Sequence, residues 1–224
     1  MTTEASLERR FWRGIEFGDR YGVVLVAIVT TYVLLSTLER ARWTKLLFAA
    51  ALAITMLLVL RASRVRPALM RVALIGCALA FVFVLIQSIT DSDFFDGSIS
   101  LILGLLVFVS PFVILNRIFR HPEVSVATIV GAICAYLLIG IVFAEVYLLL
   151  DDLDTFFAQG PRPSGDFLYF SFVTLTTLGY GDLTAGSRAA KTIVVYEAIT
   201  GQLFLAILIA RLVGSFAGRR RKAD

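Results

Sequence analysis

Long uncharged runs dominate the chain, and their lengths set its first constraint. Residues 21–38, 72–90, 97–116 and 192–210 carry no charge except Glu197, and each is long enough to cross a bilayer as a helix. Residues 124–150 form a longer apolar run broken only by Glu145. At ~1.5 Å per residue it reaches ~40 Å, so it must tilt or extend past the membrane surface. Residues 46–60 form the shortest run, flanked by Lys45 and Arg61, whose aliphatic stems can carry their charges to the interface. The pattern predicts an all-α membrane protein with six transmembrane helices. It divides into an N-terminal cytoplasmic or interfacial segment (1–20), a four-helix membrane domain (21–120), a region with the last two spans (124–216) and a basic tail (217–224).

One apolar stretch does not fit this scheme. Phe167–Gly181, between Asp166 and Asp182, is 15 residues long and ends in Gly179-Tyr180-Gly181. It is too short for a comfortable crossing, and Gly-x-Gly breaks a helix. A re-entrant element satisfies the pattern: a short helix dips in from outside and an extended segment returns. Pro163 stops the preceding chain, Ser164 or Asp166 caps the helix, and the helix runs to about Thr176. Non-helical backbone at membrane depth must be buried in protein or line water, because lipid satisfies no peptide group. The Thr177–Gly181 backbone is therefore expected to line a wet cavity.

Charge orients the chain. With both termini cytoplasmic, fifteen basic residues lie inside and six (Arg40, Arg42, Lys45, Arg162, Arg188 and Lys191) outside, in line with the positive-inside bias. The cluster at Arg40, Arg42 and Lys45 is the weak point of this count. Most acids outside the spans fall on the outer side. With 58% hydrophobic residues and a net charge of +4 placed in inner loops, the chain excludes an ordinary soluble domain and a nucleic-acid binder. The lipid bilayer is its expected partner, and Arg219-Arg220-Arg221-Lys222 either touches anionic headgroups or simply stops transfer. Cys77 and Cys134 lie in apolar runs and are expected to be free, buried thiols. With a single histidine, His121, no metal site is expected. Residues 1–20 are charged throughout, unlike a cleavable signal. Phe11, Trp12 and Phe17 interleave with charge as in an interfacial helix, and Trp12 and Trp43 bracket the first span.

Thr174-Leu175-Thr176-Thr177-Leu178-Gly179-Tyr180-Gly181-Asp182 resembles the T-x-x-T-x-G-Y-G-D signature of tetrameric pore-loop potassium channels. Its context (span, short helix, filter, span) extends the resemblance over about residues 124–216, which would be the pore domain. The first four spans resemble a degenerate voltage-sensor-like domain only in number and placement. The fold implied is six spans with a re-entrant pore helix and extended selectivity filter between the fifth and sixth. By resemblance, backbone carbonyls of Thr177, Leu178, Gly179 and Tyr180 form the rings that replace the hydration shell of K⁺, with the Thr177 hydroxyl innermost. Gly179 and Gly181 supply the positive φ angles that such a path requires. Tyr180 would point away from the ion and wedge against the pore helix. The negative end of that helix, near Thr176, would favour a cation. The chain contains one such motif, so the resemblance implies a homotetramer in the plasma membrane, with K⁺ as permeant ion and no cofactor.

Departures and secondary candidates follow from the same alignment. Where many family members carry paired tryptophans, this chain has Tyr169 and Phe170; Tyr169 can donate to Asp182 and Phe170 cannot. Gly201 matches the hinge glycine of the family's inner helix, with tight helix packing as the alternative. Gln202, Leu205 and Ile209 would face the cavity. Glu145 resembles a glutamate that anchors the outer loop. Glu197 has Ser171 or Thr174 available as partners and would couple the inner helix to the pore helix, with a purely structural bond as the alternative for both acids. Asp151, Asp152 and Asp154 either enrich cations at the mouth or simply solvate a loop. Residues 97–116 hold no arginine, Arg117 and Arg120 sit only at the end, and Pro111 is expected to kink the helix, so weak voltage dependence is expected. Too few residues follow Ser215 for a sensor domain, which leaves lipid, pH, tension or a separate regulatory protein as gating stimuli. The competing readings are the pore subunit of a potassium uptake transporter and a non-conducting regulatory channel subunit. No nucleophile–base pair suggests an enzyme.

Overall fold

The computed structural model describes residues 21–34, 42–63, 65, 67–90, 107–116, 118 and 125–220. The expected interfacial helix over 1–20, the indole of Trp43, the start of the 97–116 span, Arg117, Arg120, His121 and residues 221–224 of the basic tail lie outside the described residues or side chains. The described chain is all-α: α1 (Tyr21–Leu34), α2 (Arg42–Ala62), α3 (Pro67–Thr90), α4 (Val107–Asn116), α5 (Val126–Leu153), α6 (Ser164–Leu175) and α7 (Arg188–Arg220). Among the described residues β-pairing is limited to one antiparallel bridge, between Phe157 and Ala185.

Two of these helices, Val126–Leu153 and the Arg188–Gly214 portion of α7, are long and apolar enough to cross a membrane. Several helices run past the uncharged stretches that announce them. α7 begins at Arg188 and ends at Arg220, whereas its charge-poor run covers 192–210. The loss of charge marks where hydrocarbon would lie; backbone hydrogen bonding continues beyond it until a cap or a turn intervenes.

α5 starts at a capping box. The Ser125 hydroxyl accepts the Thr128 N–H, and the Thr128 hydroxyl accepts the Ser125 N–H, both at 3.3 Å. Its inward face is rich in small residues, including Ala127, Gly131, Ala132, Cys134, Ala135, Gly140 and Ala144. Such residues let neighbouring backbones approach closely where packing, not water exclusion, holds helices together. Residues of this face share one core cluster with α1 (Tyr21, Val24, Ile28), α2 (Leu52, Val59), α4 (Ile114) and Leu168 of α6. Cys77 and Cys134 are free and buried, as expected. α2 and α3 share a second cluster built from Met56, Leu60, Ala73 and Cys77. Between α1 and α2 the Thr31 hydroxyl donates to the Ala27 carbonyl at 2.8 Å, so in the 3.0 Å Thr31–Thr55 pair Thr55 is the donor.

A third cluster, mostly aromatic, lies at the opposite end of α5. Tyr147, Phe156, Phe157, Phe167 and Phe170 stack at centroid separations of 4.5–5.9 Å. The cluster pins the loop after α5 onto α6, with the Asp151 carboxylate accepting the Phe156 N–H at 2.7 Å. That loop then meets the segment leading into α7. Ala158 N–H donates to Thr184 O (2.9 Å), and Gly186 N–H donates to Phe156 O (2.8 Å). The two flanks of α6 are thus bonded to each other, and α6 is held between α5 and α7.

α7 has the opposite character. Only 11% of its apolar stretch is buried within the chain, although the mean hydropathy of that stretch is 2.0. Val195, Tyr196, Ile199, Leu203, Ile207, Ile209 and Val213 are all exposed. At its far end the Arg211 guanidinium donates to the Ile118 carbonyl and ties α7 to the segment between α4 and α5.

Candidate functional site: the loop after α6

α6 is 12 residues long, and Pro163 is its N-cap, with φ −62° and ψ 151°. This corrects the expected capping by Ser164 or Asp166, since no side chain caps this end. Proline is already extended there, and its carbonyl takes the Asp166 N–H at 3.0 Å. Ser164 is therefore the first helical residue. Asp166 sits in the first turn, where a carboxylate favours the helix dipole, and lies 4.0 Å from Arg162.

At the other end the chain folds back on the helix. Thr176 N–H donates to Phe172 O (3.1 Å), Thr177 N–H to Thr174 O (2.9 Å), and Leu178 and Gly179 N–H to Val173 O (2.9 and 3.4 Å). These amide groups are spent on α6. Among the described residues none donates to the carbonyls of Thr177, Leu178, Gly179 or Tyr180. The φ angles alternate in sign along this segment: Thr177, Gly179 and Gly181 are positive, at 60°, 55° and 79°. The glycines were legible in sequence; Thr177 was not. A β-branched residue at positive φ is an outlier that persists only where its surroundings hold it. Here the Thr177 hydroxyl donates to Thr176 O at 2.6 Å and accepts from the Gln202 amide of α7 at 3.3 Å.

Asp182 follows the loop, and Tyr169 Oη donates to its Oδ2 at 2.8 Å, the contact expected of Tyr169. Gln159 adds a clamp that sequence reasoning missed: its amide donates to Asp182 O (3.2 Å) and Thr184 Oγ1 (3.1 Å), while its oxygen accepts the Thr184 N–H (3.2 Å). A glutamine fifteen residues before the motif's first threonine, Thr174, carries no local signal of this kind. The Phe170 ring is buried against Phe156, Phe157 and Tyr147, so this position serves packing of the loop between α5 and α6. Leu178 and Tyr180 are 59% and 68% exposed, so α6 of the same chain leaves most of the Tyr180 ring uncovered.

Behind the loop lie two buried contacts. Glu197 of α7 is fully buried and is hydrogen-bonded to the Tyr147 hydroxyl of α5 and the Ser171 hydroxyl of α6. Ser171 was one expected partner; Thr174 is not used, and Tyr147 was not foreseen. Gly201 is buried where a Cβ would lie 2.3 Å from the Leu175 carbonyl oxygen. The same carbonyl accepts from Tyr136 Oη at 3.0 Å. Close packing therefore requires a glycine at this point of α7. Of the remaining candidates, Glu145 is buried on α5, Gln202 and Ile209 are exposed, and Leu205 is partly covered. Asp151, expected either to enrich cations at a mouth or simply to solvate a loop, accepts the Phe156 N–H in the turn after α5.

The geometry is thus a short helix, a return segment with unengaged carbonyls and alternating φ, and two long helices around it. Residues 131–217 match a family model described as "Ion channel". Over 79 residues the chain is 39% identical to Two pore potassium channel c of Oryza sativa subsp. japonica, a stretch covering 35% of this chain and 17% of that one. It is 32% identical over 84 residues to Two-pore potassium channel 2 of Arabidopsis thaliana, covering 38% and 18%. The chain therefore spans less than a fifth of the length of these curated relatives. No solved structure matches it significantly. The segment that matches the family model contains the whole of α6 and the loop after it, and over part of its length the chain is similar to these two potassium channels.

Proposed function

We propose that this chain is a subunit of a passive, K⁺-selective pore made from four copies of itself, with Thr177–Gly181 as the ion path. The observation that carries the reading is the run of carbonyls from Thr177 to Tyr180 that accept no hydrogen bond among the described residues, on a backbone of alternating φ. As in potassium-channel filters generally, such oxygens replace the water that a dehydrated ion loses. One chain supplies one wall. The uncovered apolar surface of α7 and the exposed Tyr180 ring both support burial against further copies and lipid. Gln202 and Ile209 then face the central cavity, with Leu205 beside them.

On this reading α6 is a re-entrant pore helix, and the chain has six spans with both termini cytoplasmic in the plasma membrane. The bonded flanks of α6 support re-entry, because the segments before the helix and after the loop lie side by side. The names of the plant relatives support K⁺ as the ion. Planar-bilayer recording of the purified protein, with K⁺ on one side and Na⁺ on the other, tests the reading. The expected reversal potential approaches the K⁺ equilibrium value. Equal passage of sodium, or a protein that stays monomeric in detergent and lipid, overturns it.

A further inference from the structure

The fully buried Glu197 side chain is bonded at both oxygens, and the number of hydrogens available decides its state. Three contacts form one chain: Tyr147 Oη to Glu197 Oε2, Glu197 Oε1 to Ser171 Oγ (2.5 Å), and Ser171 Oγ to the Gly140 carbonyl (2.7 Å). Each needs one hydrogen. Tyr147 and Ser171 bring one each, and a carbonyl brings none. One hydroxyl hydrogen cannot point along two short contacts to different acceptors. If Ser171 donates to Gly140, the Glu197–Ser171 contact requires a hydrogen on Glu197. If it donates to Glu197, the Gly140 contact brings two acceptor oxygens together with no hydrogen between them. A carboxylic acid on α7 resolves this, with the sequence Tyr147 O–H to Oε2, Oε1–H to Ser171 Oγ, and Ser171 O–H to Gly140 O.

The surroundings agree. Among the described residues the hydrogen-bonding partners of Glu197 are these two hydroxyls, and no lysine, arginine or histidine pairs with it. The ionisable groups facing it from α5 are the Tyr147 phenol and the phenol of Tyr136, whose hydroxyl is engaged by Leu175 O. From α6 it meets only Ser171. A buried carboxylate without a cation is strongly disfavoured, while a neutral acid with each oxygen bonded is not.

We propose that Glu197 acts as an uncharged acid that donates to Ser171, making it the positioning residue that ties α5, α6 and α7 together behind the filter. Its effect on permeation rests on the pore reading; its state does not. Two measurements separate these. Infrared spectra of the reconstituted protein at neutral pH, with isotope-labelled glutamate, are expected to show a carboxylic-acid C=O band that disappears in Glu197→Gln. Absence of that band overturns the proposal whether or not the protein conducts.

The second measurement compares Glu197→Gln with Glu197→Leu and Ser171→Ala. An amide can donate to Ser171 and accept from Tyr147, so Gln is expected to rescue the K⁺/Na⁺ permeability ratio and open lifetime. Leu and Ser171→Ala each break the chain and are expected to lower one of these by about tenfold. A Gln variant that fails as badly as Leu, or does not fold, overturns the proposal, as does a Leu variant equal to wild type. If Leu does not fold, Ser171→Ala carries the comparison.

Discussion

Gly201 of α7 approaches the Leu175 carbonyl at the end of α6 so closely that a methyl group on its Cα would sit 2.3 Å from the oxygen. The contact lies where the loop leaves α6, and Tyr136 bonds the same oxygen from α5. Three helices therefore converge on one peptide group, and the contact sets how near α7 can lie to the loop.

Gly201→Ala is expected to destabilise the protein by about 1–3 kcal/mol, because the neighbour is backbone and cannot rotate away. Thermal melting of the purified protein checks this. A variant that melts like wild type and alters only opening probability would assign Gly201 a hinge role instead.

Tyr169→Phe removes the 2.8 Å bond to Asp182 and leaves Gln159 as the remaining side-chain clamp on that residue. Shorter open lifetimes and faster inactivation are expected in single-channel records. Unchanged lifetimes would mean that Gln159 alone suffices to hold the loop exit.

Gly179→Ala and Gly181→Ala place a Cβ at φ 55° and 79°, a conformation costing L-residues roughly 1–2 kcal/mol each. Neither position is crowded within the chain, so the penalty is conformational. Ion-flux assays on vesicles are expected to show lost K⁺ selectivity in both. Retained selectivity in Gly179→Ala would contradict the alternating path.

The described part of α4, Val107–Asn116, contains no lysine or arginine, while Pro111 lies inside it. Moving one charge through the membrane field yields ~2.3 kcal/mol per 100 mV, so a helix without charges contributes little. A shallow conductance–voltage curve is expected from macroscopic currents. A steep curve would place gating charge elsewhere in the chain.

The loop was legible in sequence because its chemistry is local. Gly179 and Gly181 announce their φ angles by residue type, Asp182 closes the motif, and the apolar stretch before it is short and ends in Gly-x-Gly. The capping of α6 was misread because Ser164 and Asp166 are good caps in isolation, while Pro163 already held the extended conformation. Thr177 at φ 60° was invisible, since its type argues against that angle and only bonds to Thr176 and Gln202 stabilise it.

The sequence alone determined which segments avoid water and where the backbone must break, because side-chain hydropathy and glycine's missing Cβ act within a few residues. Only the tertiary structure decided that Tyr147 and Ser171 meet Glu197, that Gln159 grips Asp182, and that Gly201 answers to Leu175. Those partners lie 23 to 50 residues apart, and their meeting depends on the close packing of α5, α6 and α7 rather than on any neighbour in the chain.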